Sequence, residues 1–268
     1  TPRRLPLLAV VVLLATAAAP ARAQRPPAMS RFLSAPYPFE LVAAKRADRV
    51  AWLVLDAGRR NVYTAAAPDF KPVRLTAFLD DDGTDISSLC ISDDGSVVVF
   101  VRGHAQNREG WVANPTSGPS GAERTFWAVR TSGGRAWRLG EGTTPVLSPD
   151  GRTVVYAKDG QIYQYTVTMP TTARGAAGAG RPLIRAWGTN STPRWSPDGT
   201  KIAFVSDRVD HSFVGVYDTR RRSVVFLAPS VDRDSSPTWS PDSARVAFIR
   251  RPGVPFGQQA HAGTGSIG

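Results

Sequence analysis

Cysteine is almost missing from this chain: Cys90 is the only one in 268 residues. A single thiol cannot form an internal disulfide, so the fold must be stabilised by packing. Cys90 lies in Ser88-Leu89-Cys90-Ile91, an apolar stretch that reads as a strand with a buried thiol rather than a nucleophile. Histidine is scarce too. His104, His211 and His261 are the only three, and none stands in a zinc-ligand cluster. Helical periodicity is missing after residue 23, and so is the Gly-x-Ser-x-Gly elbow that presents a hydrolase serine. The sequence therefore predicts no catalytic residue in this chain, no metal and no cofactor.

Lysine is rare as well. Only Lys45, Lys71, Lys158 and Lys201 stand among 33 basic residues. The net charge of +11 falls to +8 when Arg3, Arg4 and Arg22 of the N-terminal segment are set aside. Apart from Arg220-Arg221-Arg222, which reads as an exposed turn, the basic residues are scattered. That pattern argues against a nucleic-acid partner.

One long apolar run is present, at residues 5–19. Arg3 and Arg4 precede it, and Ala21-Arg22-Ala23 follows as a small-x-small cleavage site. Residues 1–23 thus read as a secretory signal peptide with Gln24 as the mature N-terminus. The run is short for a membrane span. The expected location is the periplasm or the exterior, free of the membrane after cleavage.

The most informative feature is a repeated phrase. Leu147-Ser148-Pro149-Asp150-Gly151 returns as Trp195-Ser196-Pro197-Asp198-Gly199 and as Trp239-Ser240-Pro241-Asp242-Ser243, with a degenerate copy at Ile91-Ser92-Asp93-Asp94-Gly95. The serines are 56, 48 and 44 residues apart. Pro presets a turn dihedral, Asp bonds its local backbone and Gly closes the turn. A strand follows each turn in one pattern: Val98-Val99-Phe100, Val154-Val155-Tyr156, Ile202-Ala203-Phe204 and Val246-Ala247-Phe248. A turn and an apolar strand recurring every 40–50 residues mark the blades of a β-propeller. The Trp before two of the turns is expected to cap the packing between blades.

The predicted fold is all-β, an incomplete β-propeller of four-stranded blades, with about four to five present. Residues 24–47 read as a lead-in segment, residues 48–250 as the partial propeller and residues 251–268 as a Gly/Pro-rich linker or truncated blade. A hairpin is expected around Gly58-Arg59-Arg60, with Val73-Arg74-Leu75-Thr76 as the next strand outward. Residues 103–123 form a long loop and residues 171–180 a low-complexity connection. A propeller closes to remove its edges. The open ring and the initial Thr therefore suggest a fragment cut at both ends.

Three motifs carry little. Gly263-Thr264-Gly265-Ser266-Ile267-Gly268 has the letters of a dinucleotide fingerprint but follows no strand and opens no helix. Asp80-Asp81-Asp82-Gly83-Thr84-Asp85 fails the calcium-loop register, because Phe78 and Leu89 fall where carboxylates are required. Asn190-Ser191-Thr192 is a glycosylation sequon by letters alone. Two polar clusters, Ser206-Asp207-Arg208-Val209-Asp210-His211 and Asp232-Arg233-Asp234, occupy equivalent blade turns. They read either as salt bridges between turns or as a polar chamber lining that handles peptide termini. On the second reading, Asp207, Arg208, His211 and Arg233 are the candidate substrate-binding residues.

Several stretches resemble known sequences: residues 75–95, Asn114-Pro115-Thr116-Ser117 with Gly121-Ala122-Glu123, residues 195–218 and residues 231–252. The repeats resemble those of TolB-like propellers and of the N-terminal propellers of the prolyl oligopeptidase family of serine peptidases. The longer stretches resemble its bacterial dipeptidyl-peptidase and acylaminoacyl-peptidase members. That resemblance implies a propeller over a C-terminal α/β-hydrolase domain with a Ser-Asp-His triad, admitting short peptides as substrates. No residue here matches the hydrolase domain, so no triad member can be assigned. Some relatives hold the substrate amine with paired glutamates, but Glu109 and Glu123 are single. The alternative is a periplasmic TolB-like propeller that binds protein partners without catalysis.

Overall fold

The structure is a computed structural model that describes residues 35–253, except 120, 123 and 169–179. The chain divides into two units, Thr1–Ala35 and Pro36–Gly268, and the second holds every strand described below. The proposed signal segment, Glu123, His261, the low-complexity connection at 171–179 and the Gly-rich stretch from Gly263 lie outside the described residues.

Every regular element among the described residues is a strand. The first sheet runs β1 (Tyr37–Ala43), β2 (Arg49–Asp56), β3 (Arg59–Ala66) and β4 (Val73–Arg74), in that order. The second is β5 (Ile86–Ile91), β6 (Val97–Arg102), β7 (Thr125–Arg130) and β8 (Trp137–Glu141). The third is β9 (Thr143–Leu147), β10 (Thr153–Lys158), β11 (Gln161–Thr166) and β12 (Arg181–Ile184). The fourth is β13 (Thr189–Trp195), β14 (Lys201–Asp207), β15 (Ser212–Asp218) and β16 (Ser223–Phe226). A final antiparallel pair, β17 (Arg233–Trp239) and β18 (Val246–Arg251), joins the fourth sheet through one parallel bridge, Ser212 to Arg233. These are four antiparallel blades and half of a fifth, and the sheets do not close. The first blade starts earlier than the expected boundary at 48, because β1 lies within the stretch read as a lead-in.

The apolar runs are explained by burial on both faces of a sheet. Val98 and Phe100 of β6 pack towards Ala51, Leu53 and Val62 of the first sheet. Val97, Val99 and Val101, with the opposite parity, pack towards Leu147, Val154 and Tyr156 of the third. The third sheet repeats this, with Val155 and Ile162 against Ile202, Phe204 and Tyr217 of the fourth. Trp195 packs on that last cluster, and the Trp239 indole N–H donates to the Arg194 carbonyl at 3.0 Å. Both tryptophans thus bridge blades as expected. The final pair is less covered, with Ile249 48% exposed.

The repeated phrase folds identically each time. The serine hydroxyl donates to the Asp carboxylate two residues on at 2.5–2.6 Å in all four copies. The same hydroxyl oxygen accepts the backbone N–H of the fifth residue on, from Val97, Thr153, Lys201 and Arg245, at 2.9–3.1 Å. Each Asp accepts the backbone N–H two residues further. Gly95, Gly151 and Gly199 take φ of 71–72°, and Ser243 stands in the same place with φ 61°.

A second repeat precedes each turn. Four residues before the serine, Ser88, Thr144, Thr192 and Ser236 have φ between 47° and 56°, and Glu40 of β1 matches them at 49°. Each sits at or beside a break in register with the neighbouring strand, a β-bulge. A bulge turns one backbone N–H out of the ladder. In three blades the next residue is Pro145, Pro193 or Pro237, which has no N–H to leave unpaired. In the second blade it is Leu89, whose N–H is taken up by the Glu40 carboxylate at 3.1 Å.

Candidate functional site

Antiparallel pairing puts the repeated turns at one end of the sheets. The turns between second and third strands, and the links from sheet to sheet, lie at the other end. All four candidate substrate-binding residues fall at that other end. The structure brings two of them together. Asp207, which closes β14, faces Arg233 of β17 at 3.8 Å, and Arg233 also donates to the Val209 carbonyl. Asp207 accepts the Val209 N–H at 2.8 Å. Beside them the carboxylate of Asp234, 1% exposed, takes two bonds from Arg250 at 2.7 and 2.8 Å. That bond raises the Arg250 pKa above its ordinary value. This cluster fastens β17 and β18 to the fourth blade.

The other two point elsewhere. His211 bonds Asp210 at 2.7 Å, which lowers the Asp210 carboxyl below its usual range, and lies edge-on to Phe213 at 4.8 Å. Arg208 leaves the acidic group altogether. Its guanidinium lies over Trp187 at 4.6 Å, Phe226 at 5.4 Å and Phe213 at 5.6 Å, and its Nε is buried without a hydrogen-bond partner. It is a cation in an aromatic box. Sequence reasoning missed Trp187. The available signal was a tryptophan before a glycine in a link that follows no repeat pattern.

At the junction of the first and second blades the acidic turn is neutralised by the protein itself. Arg60 reaches Asp85 at 3.1 Å and Asp81 at 3.8 Å, and Arg102 pairs with Asp82. His104 places one ring nitrogen 3.0 Å from Asp85 and the other 2.8 Å from the Gly83 carbonyl. Burial works against the charge of Asp82, but the Thr84 N–H and Arg102 outweigh it and lower its carboxyl. Among the described residues no group of three or more His, Cys, Asp or Glu could hold a metal ion. The long loop that follows contains a small turn, in which Asn107 accepts the N–H groups of Glu109 and Trp111 at 3.0 and 2.9 Å. That turn presents Trp111 to solvent.

Neither described histidine has a hydroxyl or thiol partner among the described residues. Burial pushes the Cys90 thiol up to about 11, so it is not a thiolate at neutral pH. At the repeated-turn end a polar cleft of about 770 Å³ lies between the third and fourth blades, with Arg46, Arg181, Arg222, Asp150 and Asp198 in its lining. The local chemistry suits binding of charged and aromatic groups.

No protein-family model matches the chain, and no curated protein matches it. Solved structures do. TolB from Acinetobacter baumannii aligns with a TM-score of 0.51 at 21% identity, over 77% of this chain and 48% of TolB. A puromycin-hydrolyzing peptidase from Mycobacterium tuberculosis aligns at 0.53 and 17% identity, over 80% of this chain and 35% of the peptidase. The acylaminoacyl peptidase of Pyrococcus horikoshii gives 0.54 and 12% identity, with the same 80% and 35% coverage. The chain therefore spans half or less of each, and the likeness shows the β-propeller fold.

Proposed function

We propose that this chain is the substrate-gating propeller of an exported serine peptidase that cleaves short peptides. In that protein a separate α/β-hydrolase domain would carry the Ser-Asp-His triad. The reading is carried by one observation. The long stretches that resemble the peptidase propellers, above all residues 195–218 and 231–252, form the fourth blade's central hairpin and the fifth-blade pair. Two peptidases among the solved structures share the fold. Of the four candidates, Asp207, His211 and Arg233 would line the approach for charged peptide ends, while Arg208 is held among Trp187, Phe213 and Phe226. The alternative, a TolB-like propeller that docks protein partners in the periplasm, is supported by the likeness to TolB.

Length discrimination tests the gate. The full-length protein should cleave a peptide of a few residues and spare the same sequence inside a long chain, and excision of residues 36–253 should abolish the difference. Equal rates on both by the intact protein would overturn the reading. The propeller without its hydrolase domain should not hydrolyse an Ala-Pro or Gly-Pro amide reporter.

A further inference from the structure

Trp187 is 75% exposed, yet its loop is pinned on every side. Residues 185–188 link β12 to β13. The Gln161 amide donates to the Ala186 and Gly188 carbonyls, both at 3.2 Å. Its oxygen accepts from the Ala186 N–H and the Asn190 amide, both at 3.0 Å. Asn190, fully buried, also donates to the Ala186 carbonyl at 2.8 Å. Ser206 donates to the Trp187 carbonyl at 3.3 Å. Gly188, with φ +87°, lies so close to the Asp207 backbone and the Arg208 side chain that no Cβ fits. A loop held at this many points cannot swing to bury its indole, so the exposure is built in.

Arg208 backs the indole and is itself fixed against Phe213 and Phe226. Trp187 also borders a shallow hollow of about 420 Å³ lined by Gln161, Tyr163, Arg185, Ala186 and Trp187. Arg185 is the one charged residue in that lining. Arg185 and Trp187 stand two residues apart in the link, and both are exposed. The hollow thus offers an aromatic plane and a guanidinium in the same lining, with no carboxylate among its lining residues. The backbone carbonyls of residues 186–188 are already taken by Gln161, Asn190 and Ser206, which leaves little for a peptide backbone to bond. A guanidinium behind the indole disfavours a cationic guest on the ring and favours an anionic one.

We propose that Trp187 and Arg185 form a binding site for an acidic sugar residue. The C–H face of the pyranose lies on the indole, and its carboxylate pairs with the Arg185 guanidinium in the charge-assisted geometry that arginine favours. The site is independent of the peptidase reading, since it lies on this chain alone.

The test is calorimetric titration of the whole chain with trigalacturonate and with a neutral galactose trimer. The acidic trimer should bind saturably, at least ~10-fold more tightly than the neutral one, the equivalent of about 1.4 kcal/mol. Trp187→Ala should weaken it by ~10-fold or more, Trp187→Phe should keep it within ~3-fold, and Arg185→Gln should reduce it to the neutral level. All three variants should melt within ~3 °C of the parent, because the replaced side chains are exposed. No saturable binding, equal affinity for the neutral trimer, or indifference to Trp187→Ala would overturn the proposal. So would an acidic peptide that binds through Trp187 where the sugar does not.

Discussion

The two ends of the sheets differ in how far they repeat. At one end the same turn occurs four times, with the same serine, the same aspartate and the same three bonds, and neighbouring turns lock together. The Asp198 N–H donates to Ser243 of the next turn at 3.1 Å, and the Arg46 N–H of the first blade donates to the Asp93 carbonyl of the second blade's turn at 2.8 Å. At the other end no two junctions are alike. One holds Arg60, Asp85 and His104, another the Trp187–Arg208 stack, another Asp207, Arg233, Asp234 and Arg250. Repetition is what a scaffold needs, because each blade must present the same edge to the next. Recognition needs the reverse, and it resides in the connections that the repeat leaves free to vary.

The largest effect is expected at the repeated end. Ser196→Ala should lower the unfolding free energy by about 1–3 kcal/mol, because Ser196 is fully buried and its loss strands the half-buried N–H of Lys201 and one bond of Asp198. Ser240→Ala removes the same bonds from a more exposed turn and should cost less than ~1 kcal/mol. Urea titration of both measures the gap; equal costs would mean that burial does not grade the turns.

Acid should act on that end next. Asp94, Asp198 and Asp242 are held below the ordinary carboxyl value of 3.8, Asp198 at about 2. For Asp198 the cause is foremost the Ser196 hydroxyl. A carboxyl depressed on folding stabilises the fold above its unfolded pKa and loses that contribution as pH falls through the folded one. The urea midpoint should therefore drop between about pH 4 and pH 2, and Asp198→Asn should make the drop shallower. A midpoint unchanged across that window would contradict the turn account.

At the variable end His104→Phe should release the turn at 80–85, with a local cost of about 1 kcal/mol. Hydrogen exchange should quicken around residues 83–104 while the urea midpoint moves little. A uniform loss of protection through the second blade would show that this junction is scaffold after all. Smallest of all, Trp187→Ala should change stability by no more than ~1 kcal/mol, the worth of its contact with Arg208.

The same contrast decided what the sequence could reveal. The phrase Ser-Pro-Asp-Gly and its following strand were legible because their chemistry is local: a hydroxyl, a carboxylate and backbone within five residues. The first strand, Tyr37–Ala43, was hidden because its turn carries Ala44 where the others carry serine, and only the backbone bond from the Ala44 N–H to the Arg49 carbonyl, 2.9 Å, survives. The Ser/Thr-Pro pair before three of the turns was visible in the letters, but its reason, an unpaired N–H at a bulge, needed the strand pairing. Arg208 was placed in the right turn and given the wrong company. Its partners Trp187, Phe213 and Phe226 are distant in sequence or on another strand, and no spacing rule links them.

The coding sequence beyond Gly268 tests the central claim most directly. A Gly-x-Ser-x-Gly elbow followed by an Asp and a His on an α/β pattern is the result predicted for the propeller of a serine peptidase. A stop after one or two further blades would contradict it and leave a stand-alone binding propeller.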